Sequence, residues 1–151
     1  MSDTIEYKDH GLKNLIAALK NKIPVAKVGV LAGKNNRKDD GTNASIGYKH
    51  EFGKDGMPQR SFLRVPLVDN LQKFLNKSNA FTEEVLLKVI DEKSLTEWVI
   101  KMGHVGENVV AEAFHSTGFG KWKKSNMSFK KVKQTLVETQ QLRNSISSEV
   151  K

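Results

Sequence analysis

Two kinds of apolar spacing in a chain of 151 residues predict an α+β fold, with a small antiparallel β-sheet packed against several α-helices in a single domain spanning residues 1–151. Leu12, Leu15, Ile16 and Leu19 recur at helical intervals, and a longer helical series runs from Leu95 to Phe114. Two short β-rich runs, Val25 to Leu31 and Ile146 to Val150, carry the alternation of strands.

The elements follow in chain order. The first helix covers Gly11 to Lys22, its four apolar side chains on one stripe, and Pro24 ends it. Val25 to Leu31 is a strand. Ala32 to Asn43 is crowded with Gly, Asn, Asp and Lys, too polar to bury, and is expected to be an exposed, mobile loop. Asn43 or Thr42 caps a helix from Ala44 to Phe52 that puts Ala44, Tyr48 and Phe52 on one face, with Gly47 weakening it. Gly53 to Gly56 is a turn. Met57 to Arg64 is extended, because the residue before a proline is pushed from the helical region. Pro66 suits the first turn of a helix bearing Leu67, Leu71, Phe74 and Leu75, which frays over Asn76 to Asn79.

Thr82 is placed to cap a helix carrying Val85, Leu86, Val89 and Ile90. Ser94 and Glu97 have capping-box spacing ahead of the long helix with Leu95, Trp98, Val99, Met102, Val105, Val109, Val110 and Phe114. Gly103 and Gly106 are its weak points or close-contact sites, and it stops near Gly118. A basic irregular segment, 118–134, leads towards the closing strand.

Composition excludes several chemistries. The chain has no cysteine, so disulfides, thiolate metal sites and cysteine nucleophiles are out. No run approaches the roughly 20 apolar residues that a membrane helix needs. The first ten residues carry Asp3, Glu6 and Asp9 where a signal peptide would be basic, so neither membrane insertion nor secretion is expected. Gly33-Lys34 lacks the surrounding phosphate-loop pattern. Around Asp39-Asp40-Gly41 a calcium loop would need an acid where Gly47 stands. His50-Glu51 lacks the second histidine of a zinc-protease helix, and His10, His104 and His115 have no metal-ligand spacing. No nucleophile elbow is present. The chain is therefore expected to be no enzyme and to use no cofactor or metal.

The formal charge of +8 comes from lysine far more than arginine, and it is segregated. Glu83 to Glu112 holds seven acids against Lys88, Lys93 and Lys101, whereas Ala113 to Val137 holds six lysines and no acid. A subunit polarised in this way attracts copies of itself, an acidic partner or DNA.

Two separated segments carry a longer pattern. The first is His50-Glu51-Phe52-Gly53, followed by Met57-Pro58-Gln59-Arg60-Ser61-Phe62-Leu63-Arg64 and Pro66. The second is Leu136-Val137-Glu138-Thr139-Gln140-Gln141-Leu142-Arg143-Asn144-Ser145-Ile146. In order and spacing they resemble the two signatures of bacteriophage and prophage tail-completion and neck proteins. Lys27 to Leu31 is similar to that family's opening strand, and Trp122 with the lysines after it is similar to its variable linker. The likeness runs over Val25 to Val150, with Ala80 to Lys93 poorly matched. This chain departs from the pattern at Glu138-Thr139-Gln140, where the family has Asp-Thr-Gly, and at Ser61-Phe62, where it has Pro-Phe. If the family's glycine is left-handed, Gln140 must strain or the turn must change.

Read as residues, Phe52, Phe62, Leu63, Leu142 and Ile146 are core candidates. Glu51 has Arg60 or Arg143 as a candidate ion-pair partner, and Thr139 or Asn144 caps a turn. The resemblance implies a structural virion component, acting at the head-tail junction or tail end and present in the host bacterial cytoplasm during assembly. It also implies partners: copies of the same chain in a ring, taken as a hexamer, and virion proteins such as the tail tube or head connector. Lys34, Arg37 and Lys38 in the loop, and Lys121, Trp122, Lys123 and Lys124 in the basic segment, are the candidate interface. An alternative reading is a basic nucleic-acid-binding module, with Phe119, Trp122 and Phe129 stacking bases between lysines that follow phosphates.

Overall fold

The computed structural model describes residues 11–21, 23–37, 41–89, 91–123 and 140–151. Its strands are β1 (Ala26–Val30) and β2 (Ile146–Val150), and its helices are α1 (Leu12–Asn21), α2 (Asn43–Phe52), α3 (Arg64–Lys77), α4 (Glu83–Leu86), α5 (Glu92–His115) and α6 (Gln141–Asn144). This is the α+β arrangement that the apolar spacings predict, a two-stranded antiparallel sheet against helices.

Helix α5 is the element on which the others lean. It begins at Asp91, whose carboxylate accepts from the Ser94 amide at 2.7 Å while Ser94 Oγ accepts from the Asp91 amide at 3.0 Å. The capping box thus exists one turn earlier than expected, with Ser94 inside the helix and Asp91 as the cap. Moving the start back lets Leu95 face the core as a fully helical residue. From there Val99, Val105, Val109, Val110, Ala113 and Phe114 are buried along one side of the helix.

A two-stranded sheet is marginal by itself. Here β1 and β2 pair with Val28 opposite Ser148 and Val30 opposite Ile146, and α5 covers them. The close approach depends on Gly103 and Gly106. A Cβ at Gly106 would lie 2.8 Å from Val28 Cγ2, and one at Gly103 would lie 2.9 Å from Ser148 Oγ. Glycine inside a helix forfeits about 1 kcal/mol of propensity, and in return the strands seat directly on the helix backbone.

Behind this layer, Phe62, Val110, Phe114 and Leu142 form the buried centre, with Val28, Val30, Ile46, Leu63, Leu67, Trp122 and Ile146 packed against it. The Phe62 and Phe114 rings meet at 5.2 Å, and Trp122 stands edge-on to Phe114 at 5.8 Å.

Three boundaries differ from the sequence reading. Helix α3 opens at Arg64, the last residue expected to be extended, and Pro66 stands in its first turn as expected, where a missing amide donor is harmless. Thr42 caps α2 by accepting from the Ser45 amide at 3.1 Å, which leaves Asn43 as the first helical residue. The helix after Thr82 starts at Glu83 but ends at Leu86 as the single turn α4, and the Thr82 hydroxyl, which donates to Asn79 O, makes no cap bond to it. Ile90, expected on that helix, lies outside the described residues.

Helix α1 also differs. Its buried side chain is Ala18, while Leu12, Ile16 and Leu19 are exposed. Of the stripe that predicts the helix only Leu15 is half-buried, so the side that packs, through Leu15 and Ala18, lies at the edge of that stripe.

Replacing Gly106 with Val is expected to destabilise the fold by about 1–3 kcal/mol through overpacking against Val28. Urea unfolding with an unchanged midpoint would show that the helix–sheet contact has room to spare.

Candidate functional site

The first motif is a connection between two helices, built around one carboxylate. Glu51 lies on the buried side of α2, 5% exposed, directed at the start of α3. The opening amides of a helix have no partners within the helix. Glu51 Oε2 accepts from the amides of Phe62 at 3.0 Å and Leu63 at 3.1 Å, and Oε1 accepts from the Arg64 amide at 3.1 Å. The Ser61 hydroxyl adds a fourth donor to Oε1 at 2.5 Å, and its oxygen then accepts from the Val65 amide at 3.0 Å. A negative group at this position also meets the positive end of the helix dipole.

This arrangement replaces the ion pair expected from the sequence. Glu51 pairs with neither Arg60 nor Arg143, since backbone amides and a hydroxyl already surround it. Arg64 Nε comes only to 3.9 Å, on a side chain that is largely exposed. Arg60 is buried and donates from Nε to Lys123 O at 3.5 Å, and burial holds its pKa below the ordinary value.

Gly53 makes the geometry reachable. It ends α2 at φ 69°, and a Cβ there would lie 2.9 Å from the Gln59 amide nitrogen. The chain can then return antiparallel to its own helix, with the Arg60 amide donating to His50 O at 2.8 Å and Gln59 Nε2 to Glu51 O at 3.1 Å. Pro58 is exposed on this return and Pro66 is buried.

The second motif meets the first over Gly47. A Cβ on that residue would lie 3.2 Å from Phe62 Cζ and 3.3 Å from Leu142 Cδ1, so the two motif side chains fill the space that a larger residue would take. Gln140 is left-handed at φ 54° and opens α6. Ser145, buried, donates its hydroxyl to Leu142 O at 2.7 Å, and Ile146 enters β2. Arg143 is half-buried and lines a cleft of about 190 Å³ with Glu107, Asn108 and Asn144. Thr139 lies outside the described residues.

Phe62, Leu142, Leu63 and Ile146 are thus core or against it, whereas Phe52 is 48% exposed and stacks obliquely on Tyr48 at 4.9 Å. The expected apolar face of α2 points outward. Asn43, Gly47 and Glu51 take the buried side because their hydrogen bonds and small volume fit there.

The candidate interface residues divide. Asn43 organises the loop before α2, donating from Nδ2 to Lys34 O at 3.0 Å and Asn36 O at 3.2 Å and accepting at Oδ1 from Arg37 at 3.0 Å. The loop also carries a 3-10 turn at Ala32–Lys34, and Lys34, Asn36 and Arg37 face Gln141 and Asn144 across an open groove of about 550 Å³. Lys121 is exposed and pairs with Asp69 at 2.7 Å, and Lys123 is exposed. Trp122 is half-buried. Its indole donates to Ser61 O at 3.0 Å and its ring stands edge-on to Phe114, so this half-buried side chain ties the end of α5 to the first motif and also lines an open cleft. Phe119 likewise turns inward, edge-on to Phe74 at 6.4 Å. Lys38, Lys124 and Phe129 lie outside the described residues.

Sequence reasoning missed Asn43, Gly47 and Ser61 as organising residues. For Gly47 the signal was present, as a glycine in mid-helix. For Asn43 and Ser61 it was not, because their roles depend on backbone groups brought from other segments.

Among the described residues no cluster of three or more histidine or acidic side chains is placed to hold a metal ion, and no helix is long and apolar enough to cross a membrane. No protein-family model, no curated protein and no solved structure matches this chain.

Glu107, on α5, is a titrating group at the sheet contact. Burial pushes its pKa up, but hydrogen bonds from the Ser148 hydroxyl and amide, with His104 beside it, outweigh burial and hold it below the ordinary value. A depressed carboxyl stabilises the fold above its ordinary pKa, and that contribution is lost as pH falls through the lowered value. Ser148→Ala, which removes the hydroxyl and keeps the amide, is expected to raise the Glu107 pKa towards normal, read from its side-chain carbonyl resonance across an acid titration; an unmoved midpoint would show that the hydroxyl is not a cause.

Glu51→Ala is expected to lower stability by about 3 kcal/mol, since it strands buried amides at the α3 N-terminus. Denaturant unfolding measures this, and a loss under about 1 kcal/mol, the scale of an ordinary exposed cap, would mean that the carboxylate is not the cap.

Proposed function

We propose that this chain is a structural subunit of a bacteriophage or prophage virion, of the neck or tail-completion kind, which assembles with copies of itself and with virion neighbours at the head-tail junction or tail end. The observation that carries the reading is the meeting of the two family-like segments. Phe62 of the first and Leu142 of the second share one buried cluster and close over Gly47. Signatures far apart in sequence thus serve a common scaffold, as a family pattern requires and a chance likeness does not.

Gln140 supports the same reading. It stands where the family has glycine, and it adopts the left-handed conformation that glycine favours. The polar chemistry of the first segment likewise serves the fold, with Glu51 and Ser61 capping a helix, so the motif acts as a scaffold device. Surfaces remain for fitting against neighbours, and the outward aromatic pair Tyr48–Phe52 is of the kind enriched at protein interfaces.

The test is genetic and visual. Deleting the gene from the phage or lysogen that encodes the chain is expected to leave separate heads and tails in electron micrographs of lysates, with joining restored when the chain is supplied from a plasmid. Normally joined, infectious particles without it would overturn the reading.

A further inference from the structure

We propose that Arg60 is the receptor for a carboxylate of another protein chain, an acidic side chain that meets its guanidinium through the narrow opening left to it. The proposal rests on the reading of the chain as an assembling subunit only for the source of that carboxylate.

Arg60 is 7% exposed and is the one buried cation among the described residues. A buried charge is costly unless an opposite charge or several hydrogen bonds offset it. Lysines elsewhere in the chain hold acids, as Lys49 holds Asp55 at 2.9 Å, Lys88 holds Glu84 at 2.8 Å and Lys121 holds Asp69 at 2.7 Å. Arg60 has no such partner. Among the described residues its acceptor is the neutral Lys123 O, 3.5 Å from Nε and beyond the usual hydrogen-bond range.

The buried acid of the same motif does not serve it, because Glu51 is already surrounded by three amides and the Ser61 hydroxyl. Burial lowers the Arg60 pKa, and no carboxylate among the described residues acts to raise it. A guanidinium nonetheless keeps its charge. The donors at its tip, on Nη1 and Nη2, have no acceptor among the described residues and are not enclosed, so they open onto solvent. Glu51 and Ser61 serve the fold; Arg60 is the polar residue of the motif left without its counterpart.

The chemistry of the missing group follows from the fork. A planar guanidinium matches the two oxygens of a carboxylate in a bidentate pair. An acidic side chain can reach it end-on, whereas a phosphodiester flanked by sugars is too bulky for an opening this narrow. Lys123, whose carbonyl meets Arg60, is itself exposed and adds a second positive charge to this part of the chain. The strand-like return that carries Arg60 is fixed in advance, with its amide donating to His50 O at 2.8 Å and Gln59 Nε2 donating to Glu51 O at 3.1 Å, so little ordering opposes binding.

Titrating the intact, nitrogen-15-labelled chain with an end-blocked hexaglutamate peptide tests this, with the Arg60 Nε–H resonance as the readout. Saturable movement of that resonance is expected, together with a rise in Tm when the peptide is added. Arg60→Gln is expected to weaken binding by about ten-fold or more, and Arg60→Lys, which keeps the charge and loses the fork, by nearly as much. Without peptide, Arg60→Met is expected to leave Tm unchanged or raised, since it removes a buried charge that lacks a counterpart. A clear fall in Tm in that variant shows an internal partner and overturns the proposal. So does a resonance that stays still in the parent chain, a result that needs no variant to fold, or a peptide that binds Arg60→Gln as tightly as the parent. If inorganic phosphate or duplex DNA moves the Arg60 resonance at lower concentration than the peptide, a free ion or a nucleic acid is the occupant and the proposal fails. Failure at Arg60 leaves the virion reading to its deletion test, and failure of the deletion test leaves a carboxylate receptor whose partner lies outside a virion.

Discussion

The Glu51 carboxylate is the constraint from which much of the remaining geometry follows. A helix begins with amide donors that need acceptors, and α3 begins directly after the buried Ser61 and Phe62. Satisfying those donors from α2 fixes the angle between the two helices and the length of the return between them. It also sets Phe62 against Phe114 and Leu142, so a polar contact determines where the apolar centre lies. An acid supplied by the preceding helix does what a neighbouring serine or aspartate does for α5, and it links two elements while doing so.

The cost of this arrangement is visible on α2. Its inner side carries Asn43, Gly47 and Glu51, and its outer side carries Tyr48 and Phe52. The usual apolar-in, polar-out pattern is reversed because each inner residue makes a contact that an apolar side chain could not. Asn43 gathers the loop before it, Gly47 admits two side chains, and Glu51 caps α3. Helix α1 adds a second outward apolar strip. Both helices thus leave large apolar side chains outward, in a chain whose acidic and basic stretches are kept apart in sequence.

The fold class was legible in the sequence to a useful degree. Both strands fall within a residue of the expected runs, and the long helix, its close-contact glycines and its end before Gly118 follow from spacing alone. Two of the boundaries that shifted did so where two capping residues stand close together: Asp91 and Ser94, and Thr42 and Asn43. Spacing locates a helix but does not choose between adjacent good caps, because that choice depends on which start lets the next apolar residue reach the core. Glu51 was legible as a buried acid in need of a partner. That its partners are amides and not Arg60 or Arg143 was hidden, since amides carry no sequence signal. Trp122 misled for a related reason, as an aromatic ring among lysines reads as surface until Ser61 O and Phe114 are found beside it.

By itself the sequence determined both strands and the longer helices, though not the short α6 or the early end of α4, together with the charge segregation and the two motif segments, because periodicity, composition and short-range order are properties of neighbouring residues. Only the tertiary structure decided which face of α1 and α2 turns inward and which groups Glu51 binds. It alone brings Phe62 and Leu142 together over Gly47. A helix can be read from its own residues, but the side it buries is chosen by what packs against it, and those groups come from distant parts of the chain.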